Sequence, residues 1–222
     1  FVNAGGDYYK LNATLTANIT LPAPTEEGGS NWTPMGNNRE YAGTFDGAGY
    51  TVSGLAINRP DDNGQGFFRN IDRESTVKNL TVAGSVKGNY NTGGIAGSNN
   101  GTVTNCNNQV EVTGTNNSTG GIVGSNIGQG TLVACTNTGT VNGTDNTGGI
   151  AGSNDGTLNA CYSTGTVNGT SSTGGIAGYS YGTLNACFYQ WGMEVPTVGV
   201  GYGAGSDQAA NADGRIYFCP VG

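Results

Sequence analysis

Between Thr92 and Gly192 single apolar residues return at fixed places in a polar, glycine-rich background, because one phrase is written four times: TGGIAGSNNGTVTNC, TGGIVGSNIGQGTLVAC, TGGIAGSNDGTLNAC and TGGIAGYSYGTLNAC. The phrases begin at Thr92, Thr119, Thr147 and Thr173, a period of 26 residues with one single-residue and one two-residue insertion. Within each phrase, runs such as GTLNAC and TGTVNG are bounded by Gly and Asn, which predicts strands of three to five residues separated by sharp turns. Helical repeats are excluded, because each Gly in a helix costs about 1 kcal/mol against Ala and every unit holds several. A unit this small cannot bury its own apolar face and must stack on its neighbours. Each is therefore read as one coil of a parallel β-solenoid.

The same pattern extends upstream. Thr51-Val52-Ser53-Gly54-Leu55 and Thr76-Val77-Lys78-Asn79-Leu80 match Thr102-Val103-Thr104-Asn105-Cys106. This predicts one column through Leu55, Leu80, Cys106, Cys135, Cys161 and Cys187, hence about six coils and a body about 29 Å long at the spacing of paired strands. The predicted fold is all-β, a single-domain parallel β-helix over residues 46–192 with an N-terminal cap (1–45) and a C-terminal cap or strand (193–222). In the N-terminal stretch Leu11, Leu15, Ile19 and Leu21 suit one or two irregular strands ended by Pro22 and Pro24. Residues 24–39 read as a loop, and Trp32 and Met35 as plugs over the open end.

The ordered succession of GTFDGAGYTVSGLAI (Gly43 to Ile57), GFF at Gly66, STVKNLTVAGSV, and repeated GGIAGSNxGT and NAC resembles the GLUG-motif repeats of bacterial surface proteins. Those repeats occur in adhesin-like proteins and beside the catalytic domain of some IgA-cleaving proteases. The similarity runs from about Tyr8 to Gly192. It implies an extracellular, right-handed parallel β-helix used as a surface or spacer module, and it brings no catalytic residues with it.

Composition narrows the partners. The chain has 222 residues, 42 Gly, no His and a net charge of -7, with no basic residue between Lys87 and Arg215. The repeat faces therefore offer no cationic clamp for nucleic acid or another polyanion. Glycine in register with Ile, Val, Leu and Cys argues against disorder. No run approaches the roughly 20 apolar residues of a membrane span, and no charged-then-apolar leader precedes Phe1, so a mature or excised piece of a secreted protein without a transmembrane segment is expected.

Candidate chemistry is sparse. The Cys column is expected to pack as buried free thiols, since a line of sulfurs lacks the tetrahedral convergence of a zinc site. Cys219 could close the last coil or link chains. Asn79, Asn105, Asn159 and Asn185, all just before the Leu/Cys column, predict a stacked amide ladder. Thr102, Thr131, Thr157 and Thr183, with Thr140 and Thr166, raise ice binding, which insertions near Gln109 and Gly128 should interrupt. Asp155, Asp145 and Asp61-Asp62 are too few for calcium. Glu111, Asp145 and Asp155 fall at different points of their coils and Asp46 lies in a turn, so no acid–base pair is expected on the repeats. No cofactor or metal is implied.

Aromatic residues gather late in the chain. Tyr162 and Phe188 each follow a column Cys and should stack on the outer surface, while Tyr179, Tyr181, Tyr189 and Trp191 surround the last coil. They form a candidate contact surface, or else the bed of the C-terminal cap. Ile216, Tyr217, Phe218 and Cys219 make a candidate assembly strand, able to seal the coil or to pair with another subunit. The expected function is a non-catalytic extracellular, cell-surface module with an adhesive or spacer role, whose partner is a host or matrix glycan or protein. The alternative is a subunit that polymerises with copies of itself end to end. A polysaccharide-active enzyme or an ice-binding solenoid ranks below both.

Overall fold

The computed structural model describes residues 8–37, 39–190, 199–203 and 210–212. The chain winds as a parallel β-solenoid whose turns cross four sheets in order. One turn consists of Thr44–Asp46 in the first sheet, Thr51–Asn58 in the second, a bridge at Gln65 in the third, and Phe68–Ile71 in the fourth. Among the described residues these sheets hold seven, ten, four and six strands. The third has four strands and the Gln65–Thr92 bridge, so about five turns carry all four sides and partial turns extend both ends.

Sharp corners make this possible. Between the first and second sheets Ala48, Asn79, Asn105, Ala134, Ala160 and Ala186 adopt φ of +48° to +55°, and Asn91, Ser118, Asn146 and Ser172 adopt φ of +46° to +64° at the start of the third sheet. A left-handed residue turns the chain within one position, which a strand cannot do otherwise. Asn tolerates it best after Gly, and Ala pays about 1–2 kcal/mol.

Inward positions stack in columns. Phe45, Val77, Val103, Leu132, Leu158 and Leu184 line the first sheet in register. Ile95, Ile122, Ile150 and Ile176 are fully buried, and Leu80, Cys106, Cys135, Cys161 and Cys187 fill the first corner. Two columns change character along the axis. Ile71 is succeeded by Asn99, Asn126, Asn154 and Ser180, and Val82 by Asn108, Asn137, Ser163 and Tyr189. These amides are wholly buried. Asn99 Nδ2 donates to Asn126 Oδ1 at 2.9 Å, Asn126 Nδ2 to Asn154 Oδ1 at 2.8 Å, and Asn154 Nδ2 to Ser180 Oγ at 3.0 Å. Asn108 Nδ2 likewise donates to Asn137 Oδ1 at 2.8 Å and Asn137 Nδ2 to Ser163 Oγ at 3.3 Å.

The repeated glycines follow from these ladders. A methyl group on Gly94 would overlap Asn108 Oδ1, and one on Gly121 or Gly149 would overlap Asn137 or Ser163. The second Gly of each TGG is thus the space that the amide column occupies.

The register differs from the sequence reading at two places. Thr44-Phe45-Asp46, not Thr51-Val52-Ser53, pairs with Thr76-Val77-Lys78, and Thr51 pairs with Thr81. Leu55 therefore lies opposite Gly84 in the second sheet, and the corner column starts at Leu80. The two TVxxL runs look alike because Thr-Val suits either side of the corner, and the longer turn Gly47-Ala48-Gly49 shifts the count. The proposed Asn ladder also divides. Asn79 and Asn105 hold the left-handed corner, linked by a 3.3 Å bond from Asn105 Nδ2 to Asn79 Oδ1. Asn159 and Asn185 stand one strand position earlier, paired with each other and following Val133.

At the N-terminal end, Ala13–Thr14 and Ile19–Thr20 pair with the first and second sheets and Met35 bridges Phe68, so this stretch is itself wound into the solenoid. Trp32 and Met35 pack on the core, as a plug requires. Trp32 stacks on Phe67 with centroids 4.6 Å apart, and Phe45, Phe68 and Tyr41 complete the ring cluster.

Asn126→Ala is expected to cost about 3 kcal/mol, because it strands the buried Asn99 Nδ2 and Asn154 Oδ1 in the ladder. Asn159→Ala, on the exposed side, should stay within about 0.5 kcal/mol. Urea denaturation followed by circular dichroism distinguishes them. In the same assay Ala160→Gly, at φ +51° on an exposed corner, should add about 0.5–1 kcal/mol.

Candidate functional site

The outward positions determine what the rod can touch. On the second sheet Tyr162 and Phe188 are in register on adjacent strands and half-buried, as the spacing predicts. Tyr189, the next residue, faces inward. It is 2% exposed, follows Ser163 in the Asn108–Asn137–Ser163 column and lies over Gly175. It therefore leaves the contact surface and joins the core, because alternate strand residues point to opposite faces. Burial pushes its hydroxyl pKa up.

Tyr179 and Tyr181 lie on a different face, the fourth sheet. There Ser98, Ser125 and Ser153 hold the outer column in earlier turns, and Tyr179 and Tyr202 take it over. The Tyr179 ring stacks on Tyr202 at 5.8 Å and 19°, and Tyr181 leans on Tyr179 at 5.1 Å. Tyr181 and Tyr202 are 57% and 58% exposed. The phenols of Tyr202 and Tyr179 push the Tyr181 hydroxyl pKa up. The expected single aromatic surface is thus two patches on two sheets. Sequence reasoning missed Tyr202, whose VGVGYGAG setting lacks the repeat phrase that would have aligned it with Tyr179. Trp191 and the assembly strand Ile216, Tyr217, Phe218 and Cys219 lie outside the described residues.

The thiol column is as expected. Cys106, Cys135, Cys161 and Cys187 are free and buried. Their sulfurs donate to backbone carbonyls, Cys106 to Thr104 O at 3.5 Å and Cys135 to Val103 O at 3.5 Å. Burial pushes the Cys106 thiol to about 12. Contact with Cys135 raises Cys161, and contact with Cys161 raises Cys187. Among the described residues no group of three or more acidic, Cys or His side chains converges as a metal site would require.

Glu111, Asp145 and Asp155 fall on different strands or turns of the repeat coils. Asp46 accepts from Asn79 Nδ2 at 3.0 Å and from Ala48 N at 2.8 Å and meets Lys78 Nζ at 3.3 Å, which together lower its pKa. Glu40 is raised by burial and then by neighbouring Asp72, a pair in the N-terminal turns that the repeat-centred reading passed over. The Thr column is longer than expected. Thr44, Thr76, Thr102, Thr131, Thr157 and Thr183 stay in register. The insertion at Ile127–Gly130 closes on itself as a turn and leaves the column unbroken. The adjacent outer column is Asp46, Lys78, Thr104, Val133, Asn159 and Asn185, so the face is chemically mixed rather than a paired Thr array.

No protein-family profile matches the chain. It is 35% identical to halomucin of Haloquadratum walsbyi over 126 residues, which is 54% of this chain and 1% of halomucin. It is 38% identical over 71 residues to a protein of Evansella cellulosilytica provisionally named a Gly-rich membrane protein, covering 32% of this chain and 8% of that one. The chain thus spans a small fraction of either relative. Among solved structures it is similar to a Bacteroides ovatus chain provisionally described as an immunoglobulin A1 protease, with a TM-score of 0.63 and 22% identity over 82% of this chain and 57% of the other. That likeness establishes the β-helical fold. No helix among the described residues is long and apolar enough to cross a membrane.

Burial makes the interior sensitive to alkali. The folded pKa of Cys106 is raised from 9.0 to about 12 and that of Tyr41 from 10.0 to about 12. The stability these groups contribute is complete below their unfolded values and is lost as pH rises through the folded ones. The melting temperature should stay level up to about pH 9 and fall between pH 9 and 12. At pH 8 the four column thiols should resist Ellman's reagent until denaturant is added.

Proposed function

We propose that the chain is a non-catalytic extracellular, cell-surface module with an adhesive or spacer role, carrying a contact surface for a host or matrix glycan or protein. One observation carries the reading. Tyr179, Tyr181 and Tyr202 form an exposed aromatic cluster on a face whose three preceding turns carry Ser98, Ser125 and Ser153. Exposed aromatic clusters on a rigid support are typical of contact sites. The surface setting is supported by the names of the two relatives, halomucin and a Gly-rich membrane protein.

A second reading, end-to-end assembly with copies of itself, draws on the opposite end. There Leu15, Ile19, Leu21, Trp32, Met35, Phe45, Val52 and Phe67 line an apolar hollow of about 120 Å³.

The two are separated by one pair of measurements. On glycan and matrix-protein arrays the chain should bind a restricted set of ligands, and Tyr181→Ala with Tyr202→Ala should weaken that binding at least tenfold. Negative-stain electron microscopy at rising concentration should show short rods. Filaments without array binding would reject adhesion in favour of assembly, and release of reducing ends from a polysaccharide would reject both.

A further inference from the structure

A second concave surface lies far from the aromatic cluster, where residues 22–31 leave the second sheet and fold back over its outer face. Asn31 pins this loop. Its Oδ1 accepts from Ala56 N at 2.8 Å, and its Nδ2 donates to Pro22 O and Gly54 O, each at 2.7 Å. Its own N donates to Ala56 O at 2.9 Å. Ser30 Oγ accepts from Asn58 N at 2.8 Å, and Asn58 Nδ2 donates to Gly28 O. A tight turn, Gly29 N to Glu26 O at 3.0 Å with Gly28 at φ +69°, fixes the tip. Five bonds from residues 28–31 to the second sheet hold the loop as a wall.

Between this wall and the sheet runs a groove of about 480 Å³. Its floor is two in-register outer columns, Ala56–Ser85–Glu111 and Asn58–Lys87–Thr113. The buried Ile57, Val86 and Val112 between them keep these side chains pointing outward. Glu26 and Glu27 stand on the wall. Both columns run on beyond the groove, through Thr140 and Thr166 and through Asn142 and Asn168, whose amides are joined at 2.8 Å. A linear ligand held in the groove would find hydroxyls and amides along its path.

The lining indicates the ligand class. The groove has three carboxylates against one ammonium, a local charge of -2 from Glu26, Glu27, Glu111 and Lys87, and among the described residues none of these is in an ion pair. Polyanions are repelled. A bare divalent cation is poorly served, since these carboxylates do not converge. No aromatic ring lines the groove, so recognition rests on hydrogen bonds and charge. Ser85, Thr113 and Asn58 suit ligand hydroxyls, and the carboxylates suit ammonium groups.

We propose that this groove binds a linear oligosaccharide bearing protonated amino groups, independently of the Tyr179–Tyr202 face. The test is isothermal titration of the full chain with a glucosamine hexamer at pH 5.5, against its N-acetylated counterpart and hexalysine. The glucosamine hexamer should bind at least tenfold more tightly than either. The exposed triple variant Glu26→Gln, Glu27→Gln, Glu111→Gln, checked by circular dichroism for an unchanged fold, should lose at least tenfold, while Tyr181→Ala with Tyr202→Ala leaves binding intact. Three outcomes would overturn the assignment. They are no binding of the glucosamine hexamer, binding unaffected by the triple variant, and hexalysine binding as tightly, which would make the groove a site for basic peptide.

Discussion

The solenoid depends on a hydrogen bond that runs along its axis inside the core. Backbone ladders alone would let neighbouring coils slip, because a sheet of small, similar residues specifies its register weakly. Asn99, Asn126 and Asn154 on one side and Asn108 and Asn137 on the other remove that freedom, since each buried amide is satisfied only when the next stands directly above it. A one-residue slip would leave buried donors and acceptors unpaired at a cost of about 1–3 kcal/mol each. The same amides hold their own turns, as when Gly101 N donates to Asn99 Oδ1 at 3.1 Å and Val110 N to Asn108 Oδ1 at 3.2 Å. Register and corner geometry are thus set by the same side chains.

That constraint explains why the exterior can vary. With the core columns fixed, outer positions change from Ser153 to Tyr179, or from Ser85 to Glu111, without disturbing the coil. Contact chemistry gathers where the ladders stop. Toward the N-terminus Ile71 and Val82 replace amides, aromatic rings fill the end, and the 22–31 loop forms a wall. Toward the C-terminus Ser163 and then Tyr189 replace amides in the second column as the exposed tyrosines appear.

The stacked β-architecture, the buried thiols and the outward Tyr162–Phe188 pair were legible because a repeat of nearly constant length converts sequence offset into spatial register. The reading failed where length changes. The extra residues at Gly47-Ala48-Gly49 moved Leu55 out of the corner column. The Asn offset is of another kind, since TVTNC and TLNAC have equal length and Asn stands one residue before Cys in the first and two before it in the second. Tyr189 was misplaced for a different reason. It was grouped with its aromatic neighbours in the chain, although alternation from the outward Phe188 already turns it inward.

The sequence by itself determined the fold class, the absence of a cationic face over the repeats and the glycine spacing, since each follows from composition and period, which are properties of the chain as written. Only the tertiary structure decided which asparagines are buried, that Tyr179 meets Tyr202, and that Glu26 and Glu27 face Glu111 across one groove. Those relations join residues 23 to 85 positions apart, and they exist only after corner geometry and strand alternation have assigned every side chain to the inside or the outside.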